Sequence, residues 1–238
     1  MSGKVGLLTG STSALGRAVA RRLTQQHHLS LACVSRRVQP IEALPAGCHP
    51  FQADLQSSEQ CDALCKLVKD QLGPISVMVN CAGVTQNKLH VRTNDQDYDL
   101  VFNTNVRGGL NITKSALRHG GLLQCGDGSV IHVGSVVGLH GNAGQVLYSA
   151  SKAALSASAR SWAKEYGAKN IRFNVVAPGL IDGEGMGQTL SEAQRESWRK
   201  DCPLGRLATV EDVADVIVSV LQCSFVNGQT ISVDGGAY

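Results

Sequence analysis

Three side chains, Ser135, Tyr148 and Lys152, have the types and the spacing that proton transfer to a carbonyl group requires. Residues four apart on a helix share one face, so the Tyr148 phenol and the Lys152 ammonium are expected side by side. A neighbouring cation favours the phenolate, so we expect the pKa of Tyr148 to lie below its ordinary value of about 10. The Ser135 hydroxyl would hold a carbonyl oxygen while Tyr148 delivers the proton. This pattern suits the reduction of a ketone.

The composition is typical of one globular α/β domain. The 238 residues are 43% hydrophobic and 17% charged and include 26 glycines, which fits a buried core and many tight turns. The net charge is only +3 and the basic residues are scattered, which argues against a nucleic-acid partner. The longest apolar stretches are far shorter than the ~20 residues that cross a bilayer, so no membrane span is expected.

Eight cysteines raise the questions of disulfides and of metal binding. Several lie in apolar runs, where a free cysteine behaves as a small hydrophobic residue. No secretory signal precedes them, so reduced thiols in an intracellular compartment are the expectation. Cys61 and Cys65 have helical spacing but no second pair of ligands, so we predict no metal site.

Strand and helix patterns alternate along the chain. Short apolar runs predict strands at Val5–Thr9, Leu29–Val34, His49–Ala53, Ser76–Asn80, Ser129–Val133, Arg172–Ala177 and Gln229–Val233. Helical spacing predicts helices at Ala14–Gln25, Glu59–Leu72, Tyr98–Arg118, Gln145–Tyr166 and Val210–Leu221. The alternation predicts a single-domain, doubly wound parallel sheet of the Rossmann type over residues 1–238, with helices on both faces. The stretch around 182–202 is expected to be a lid over the substrate.

The turn between the first strand and the first helix is expected to bind a phosphate. A glycine in such a turn lets the backbone approach a pyrophosphate, and the helix N-terminus offers unpaired N–H groups. Tight turns also use glycine for steric reasons alone, so the position of this turn supports the prediction more than its glycines do. The residues expected at this phosphate site are Gly10, Ser11, Thr12, Ser13, Leu15 and Gly16.

The turn reads Thr-Gly-x-x-x-x-x-Gly from Thr9 to Gly16, and it resembles the Thr-Gly-x-x-x-Gly-x-Gly turn of the short-chain dehydrogenase/reductase family, with Ala14 at the middle glycine. The resemblance extends over nearly the whole chain. It implies that Asn105 joins Ser135, Tyr148 and Lys152 in catalysis, with Lys152 also holding the nicotinamide ribose. It further implies cofactor contacts from Asp54 and Leu55, from Asn80, Ala82 and Gly83, from Pro178, Gly179 and Ile181, and from Tyr148 and Lys152.

The residues at the end of the second strand indicate which nicotinamide cofactor is used. NAD-binding chains place an acidic residue there, about 20 residues past the glycines. This chain has Ser35, Arg36 and Arg37 instead. No carboxylate would repel a 2′-phosphate, and a guanidinium can bind one through paired hydrogen bonds. We therefore predict NADPH; the alternative is that the two arginines simply end a strand and face water.

The segment Val133–Lys152 is similar in particular to 3-oxoacyl-(acyl-carrier-protein) reductases and the related mitochondrial carbonyl reductases. Pro203–Leu207 and Val233–Gly236 agree with that branch. The resemblance implies reduction of a 3-oxoacyl thioester of acyl carrier protein or CoA to the 3-hydroxyacyl product. Carrier proteins are acidic, and Lys169 stands at one of the two places where bacterial members have a carrier-binding arginine.

Two other functions stay open. One is a general carbonyl or quinone reductase. The other is a non-catalytic NADPH-binding subunit of a hetero-oligomeric reductase, which Ala14 and the lack of a threonine after Gly179 favour and the Ser-Tyr-Lys group opposes. Trp198 could line the substrate site or could be an ordinary packing residue. His140 could belong to the site or could be an ordinary loop histidine.

The helix predicted at Gln145–Tyr166 is rich in alanine and serine, whose small side chains let another helix approach closely. A monomer would ordinarily place Lys and Glu on an exposed helix face. The family resemblance implies a homotetramer, or a heterotetramer with a related subunit, that uses this helix and Tyr98–Arg118. It also implies the mitochondrial matrix as compartment; because no presequence is visible, the cytoplasm is the alternative.

Overall fold

The structure is a computed structural model that describes residues 1, 3–37, 44–183 and 191–238. Within these ranges, seven strands form one parallel sheet in the order β3-β2-β1-β4-β5-β6-β7. The strands are β1 Val5–Thr9, β2 Ser30–Ser35, β3 Cys48–Gln52, β4 Ile75–Asn80, β5 Gly128–Val133, β6 Ile171–Pro178 and β7 Thr230–Val233.

Helices cover this sheet. They are α1 Ala14–Arg21, α2 Ser58–Leu72, α3 Asp95–Phe102, α4 Gly108–Arg118, α5 Val137–His140, α6 Val146–Tyr166, α7 Glu192–Asp201 and α8 Val210–Gln222. In the described part of the chain, no helix combines the length and the apolar character that crossing a membrane would take.

The sheet confirms the predicted doubly wound fold. The strand order reverses between β1 and β4, where the crevice at the C-terminal ends of the strands opens for ligands. Every residue of β4 and of β6 is buried, which fits the mostly apolar sequences of these two strands. Pro50 lacks a backbone N–H and lies in β3, the edge strand, where one missing donor disturbs the sheet least.

The two faces of the sheet have separate apolar layers. On one face α2, α4 and α6 contribute Leu64, Ile112 and Ala159 to the first layer. On the opposite face α1 and α8 contribute Val19 and Ile217 to the second. Because each helix buries one apolar stripe against the sheet, the C-terminal ends of the strands are held in fixed positions relative to one another.

Two predicted helices differ from the observed ones. The helix predicted at Tyr98–Arg118 begins at Asp95 and contains a π-helical turn, Asn103–Arg107, between α3 and α4. The helix predicted at Ala14–Gln25 likewise ends its α-helical part at Arg21 and continues as a π turn. The extra residue of a π turn changes the direction of its side chains, and such turns are frequent at functional sites.

The lid predicted around 182–202 lies partly outside the described residues, which leave out 184–190. The part that is described contains α7.

The eight cysteines are free thiols. Cys61 and Cys65 lie on the buried face of α2, and burial raises the pKa of each thiol above its ordinary value. Among the described residues, no three or more His, Cys, Asp or Glu side chains lie close enough together to hold a metal ion.

Candidate active site

A cavity of about 910 Å³ lies at the C-terminal ends of the strands. The segments that follow β1, β4, β5 and β6 all contribute to its wall, and α6 closes one side. This is the position where open α/β sheets bind ligands. The predicted site residues in its wall are Thr12, Ser13, Leu15, Gly83, Ser135, Tyr148, Lys152, Pro178, Gly179 and Ile181.

The predicted catalytic group of three side chains meets in this cavity. Ser135 lies two residues after the end of β5, whereas Tyr148 and Lys152 lie in the first two turns of α6, each only 4% exposed. The Ser135 hydroxyl is near enough to the Tyr148 phenol to act on its pKa, and Ser135 Oγ also accepts from the Val137 N–H at 3.4 Å. The short helix α5 packs so tightly on α6 that a Cβ at Gly138 would lie 2.9 Å from the Lys152 Cβ. This contact holds the segment after Ser135 against the helix that carries Tyr148.

The predicted lowering of the Tyr148 pKa is wrong in direction. Burial raises the pKa of Tyr148 to about 12, and the hydrogen bond from Ser135 offsets only part of this effect. The Lys152 Nζ lies 5.6 Å from the centre of the Tyr148 ring and donates to the Val133 carbonyl at 2.8 Å. Burial also lowers the pKa of Lys152 to about 8. In these surroundings Tyr148 is a protonated donor at neutral pH.

Asn105 lies behind the cavity wall, in the π turn between α3 and α4. Its side chain is fully buried: Oδ1 accepts from the Val84 N–H at 2.8 Å, and Nδ2 donates to the Val84 carbonyl and to Ser151 Oγ, both at 2.9 Å. A Cβ at Gly83 would lie 3.2 Å from Lys152 Nζ and 3.3 Å from Asn105 Oδ1. Asn105 therefore positions the segment after β4 beside Lys152, and its catalytic role stays a prediction.

Neither glycine of the phosphate turn, Gly10 or Gly16, has room for a side chain. Gly10 has a φ of +66°, and a Cβ there would lie 2.7 Å from the Ala82 backbone nitrogen. A Cβ at Gly16 would lie 2.3 Å from the Gly10 carbonyl oxygen. Ser13 caps α1 by accepting from the Gly16 N–H at 3.0 Å, and Ala14 places its methyl group in the cavity wall. The start of α1 thus presents helix N–H groups to the cavity, which fits a pyrophosphate.

The remaining residues predicted to bind the cofactor lie farther along the same edge of the sheet. Ser11 donates to the Val34 carbonyl and joins the turn to β2. Ser35 ends β2 and donates to the Arg37 carbonyl, while Arg36 and Arg37 are exposed and form no ion pair within the described ranges. Two exposed guanidinium groups that follow β2 fit a 2′-phosphate.

Asp54 and Leu55 follow β3, the next strand along this edge. The Asp54 Oδ1 accepts from the Gln56 N–H at 3.0 Å, and Leu55 packs against the first turn of α4 beside Gly108. The order of strands brings this pair to the same edge as the arginines that follow β2. Their contacts with a cofactor stay a prediction.

Sequence reasoning missed a buried polar network that includes Asn80. Its Oδ1 accepts from Thr9 Oγ1 at 2.5 Å, and its Nδ2 lies 3.1 Å from His132 Nδ1. His132 Nε2 lies 3.2 Å from Thr113 Oγ1, whose own proton goes to the Gly109 carbonyl. This pattern assigns the ring proton to Nε2, and burial lowers the pKa of His132 to about 3. The network joins β1, β4 and β5 directly below the cavity; a histidine within an otherwise apolar strand was the signal.

Sequence reasoning also missed the polar rim of the cavity. Gln145 Nε2 donates to Asn87 Oδ1 at 2.7 Å and to Thr85 Oγ1 at 3.3 Å, and Asn142 Nδ2 donates to Gln145 Oε1 at 2.9 Å. All four residues line the cavity. Thr85 and Asn87 follow the C-terminal end of β4, so the rule that ligands bind at strand ends was the available signal.

Comparisons with known proteins agree with this geometry. Residues 10–238 match the family described as Enoyl-(Acyl carrier protein) reductase. The chain is 36% identical to 3-oxoacyl-(acyl-carrier-protein) reductase FabG of Thermotoga maritima, over 99% of this chain and 98% of that one. It is also 36% identical to 3-oxoacyl-(acyl-carrier-protein) reductase of Mus musculus, over 98% of this chain and 97% of that one. Carbonyl reductase family member 4 of Xenopus laevis is 34% identical over the same shares.

A solved structure described as ElxO with NADP bound has the same fold. Its TM-score is 0.91 and its sequence is 26% identical, with 100% of this chain and 99% of that chain covered.

Proposed function

The chain belongs to the short-chain dehydrogenase/reductase family of oxidoreductases, and from this premise we propose that it reduces a 3-oxoacyl thioester to the 3-hydroxyacyl product with NADPH. The observation that carries the proposal is the meeting of Ser135, Tyr148 and Lys152 in one cavity with the start of α1. The relatives named 3-oxoacyl-(acyl-carrier-protein) reductase support the substrate class. NADPH is supported by the neighbour described with NADP bound and by the exposed charges of Arg36 and Arg37.

NADPH supplies the hydride when it is bound. Thr12, Ser13 and Leu15 would hold its pyrophosphate at the start of α1, Arg36 and Arg37 its 2′-phosphate, and Pro178, Gly179 and Ile181 its nicotinamide end.

The side chains of the catalytic group divide the remaining work. Ser135 donates a hydrogen bond to the substrate's carbonyl oxygen, and Tyr148 protonates that oxygen as negative charge develops on it. The raised pKa of Tyr148 keeps this proton in place at neutral pH. The Lys152 ammonium, held by the Val133 carbonyl, stabilises the phenolate that is left after the transfer.

Replacing Tyr148 with Phe removes the donated proton and keeps the ring. We expect kcat for reduction of acetoacetyl-CoA to fall by at least about 100-fold, with NADPH binding largely preserved. Tyr98→Phe is the matched control, since Tyr98 is 40% exposed and lies outside the cavity wall. The assay follows the nicotinamide absorbance of purified protein, and NADPH binding is measured by fluorescence. Ordinary turnover by the Tyr148→Phe variant would refute the assigned role.

The same assay separates the alternatives. A rate on simple quinones or diketones that equals or exceeds the rate on acetoacetyl-CoA would favour a general carbonyl reductase, to which the relative from Xenopus laevis gives some support. A protein that binds NADPH and reduces neither class would be a non-catalytic subunit.

Assembly and carrier docking belong to this proposal too. We propose a tetramer in the mitochondrial matrix, on the basis of the family resemblance and of the small residues of α6. Lys169 precedes the N-terminal end of β6, whereas the cavity lies at its C-terminal end, about 26 Å away for eight residues. A carrier protein bound at Lys169 would therefore serve the cavity of a neighbouring subunit. The molecular mass of the assembly in dilute solution tests whether the protein is a tetramer.

A further inference from the structure

A second, smaller cavity of about 220 Å³ lies next to the catalytic one. The walls of the two cavities share Gly179, Leu180 and Trp198. Gly179 and Leu180 contribute to the common wall as the chain leaves β6, whereas Trp198 reaches it from α7. Among the described residues, Leu180 and Trp198 are the two that contribute a side chain to both walls, and the indole ring is the larger of the two.

The second cavity suits a hydrocarbon chain. Arg206 and Asp212 of its wall form an ion pair at 2.6 Å on the solvent side. Asp234 Oδ1 accepts from the Gly236 N–H at 3.0 Å, whereas its Oδ2 is buried and has no hydrogen-bond partner within the described residues. The other described side chains of its wall are apolar or thiol-bearing: Cys202, Leu204, Leu207, Ala208, Val216, Val233 and Ala237. A linear acyl chain would bury its methylenes against these apolar side chains.

Trp198 is held in place from two sides. It packs against the apolar cluster of Val136, Val137 and the catalytic Tyr148. Its ring also meets Tyr238 edge to face at a centroid distance of 6.1 Å, and Tyr238 in turn stacks on His140 at 4.6 Å with an angle of 7° between the rings. Such aromatic contacts fix the orientation of a ring. Trp198 therefore separates the catalytic cavity from the second one.

We propose that Trp198 limits the length of the acyl chain that this protein accepts. The inference rests on the proposed function, because it concerns the chain attached to the reacting carbonyl group. With that carbonyl at Ser135 and Tyr148, an acyl chain that extends across the cavity meets Trp198, which shares a cluster with Tyr148. Short 3-oxoacyl thioesters fit in front of the ring. Longer ones are excluded, and removal of the ring would open the second cavity to them.

The test compares kcat/KM for acetoacetyl-CoA and 3-oxododecanoyl-CoA with NADPH. We expect the wild-type protein to prefer the short thioester, and Trp198→Ala to raise the long-to-short ratio by at least about tenfold, because each methylene that enters an apolar pocket contributes to specificity. Trp198→Phe keeps a ring at the wall and should stay close to wild type. Phe225→Ala is a second control, since Phe225 is fully exposed and lines neither cavity.

A variant that fills the second cavity completes the design. Leu204 lines that cavity and is 69% exposed, so a larger side chain there should not disturb folding. Added to Trp198→Ala, the change Leu204→Trp should return the ratio toward the wild-type value. Trp198→Leu, which keeps apolar contact with Val136 and Val137, serves if the alanine variant fails to fold.

Each outcome bears on one of the two proposals. No reduction of either thioester by the wild-type protein would refute the proposed function. Equal efficiency of the wild-type protein on both thioesters, or a folded Trp198 variant with an unchanged ratio, would overturn the chain-length role and leave the proposed function standing.

Discussion

Acid should destabilise this protein through His132. The ring is fully buried, and its pKa is lowered to about 3 from an ordinary value of 6.5. Below pH 6.5 the unfolded chain takes up a proton at this residue while the folded protein does not, so the free energy of the unfolded state falls relative to that of the folded state. The contribution of His132 to stability is complete above pH 6.5 and is lost progressively as the pH falls toward 3. At about 1.4 kcal/mol per pH unit, the loss at pH 5 is about 2 kcal/mol.

The assay is urea unfolding at pH 7 and pH 5, followed by tryptophan fluorescence, since Trp162 stacks on His132 at 5.2 Å. His132→Gln removes the titrating ring and is expected to be less stable at both values. The decisive quantity is the difference between the free energies of unfolding of wild type and variant, in which other titrating groups cancel. We expect this difference to shrink by about 2 kcal/mol between pH 7 and pH 5.

His28→Asn is the matched control. His28 is an exposed histidine with a φ of +52°, a backbone conformation that asparagine adopts readily. The difference between the free energies of unfolding of wild type and His28→Asn should be the same at pH 7 and pH 5. If wild type and His132→Gln lost equal stability on acidification, burial of the ring would not govern its protonation, and the reasoning would be refuted.

Three further predictions follow from the site. Reduction should slow by about tenfold per pH unit above pH 8, because Lys152 loses its charge near its pKa of about 8; a rate that stays level to pH 10 would contradict this. Replacing Arg36 and Arg37 with Glu should lower kcat/KM for NADPH at least about tenfold relative to NADH, measured by steady-state kinetics. Gly16→Ala should lower the free energy of unfolding by about 1–3 kcal/mol and weaken NADPH binding. Gly167→Ala, where a Cβ has room, should change neither quantity. Thermal unfolding and fluorescence titration with NADPH measure the two effects.

Local chemistry made much of this structure predictable. The mostly apolar sequences of β4 and β6 predict strands buried on both faces, and helices must then cover both sides of the sheet. The four-residue spacing of Tyr148 and Lys152 places them together on α6 whatever surrounds them. The same holds for the phosphate turn, since a strand, a glycine and a helix start are neighbours in the chain.

Other features depend on residues far apart in the chain. The π turn that carries Asn105 interrupts a stretch that reads as one continuous helix, and its amide is held by Val84 and Ser151 from other segments. The buried network around His132 likewise joins side chains from β1, β4, β5 and α4.

The sequence by itself therefore determined the order of elements, the sheet type and which side chains are the candidates for the reaction, because periodicity and spacing are local. Only the tertiary structure decided the protonation of Tyr148, since the burial that raises its pKa comes from distant segments packed around it. It also decided that Trp198 stands between two cavities, because β6, α7 and the C-terminal residues meet there only in the folded chain.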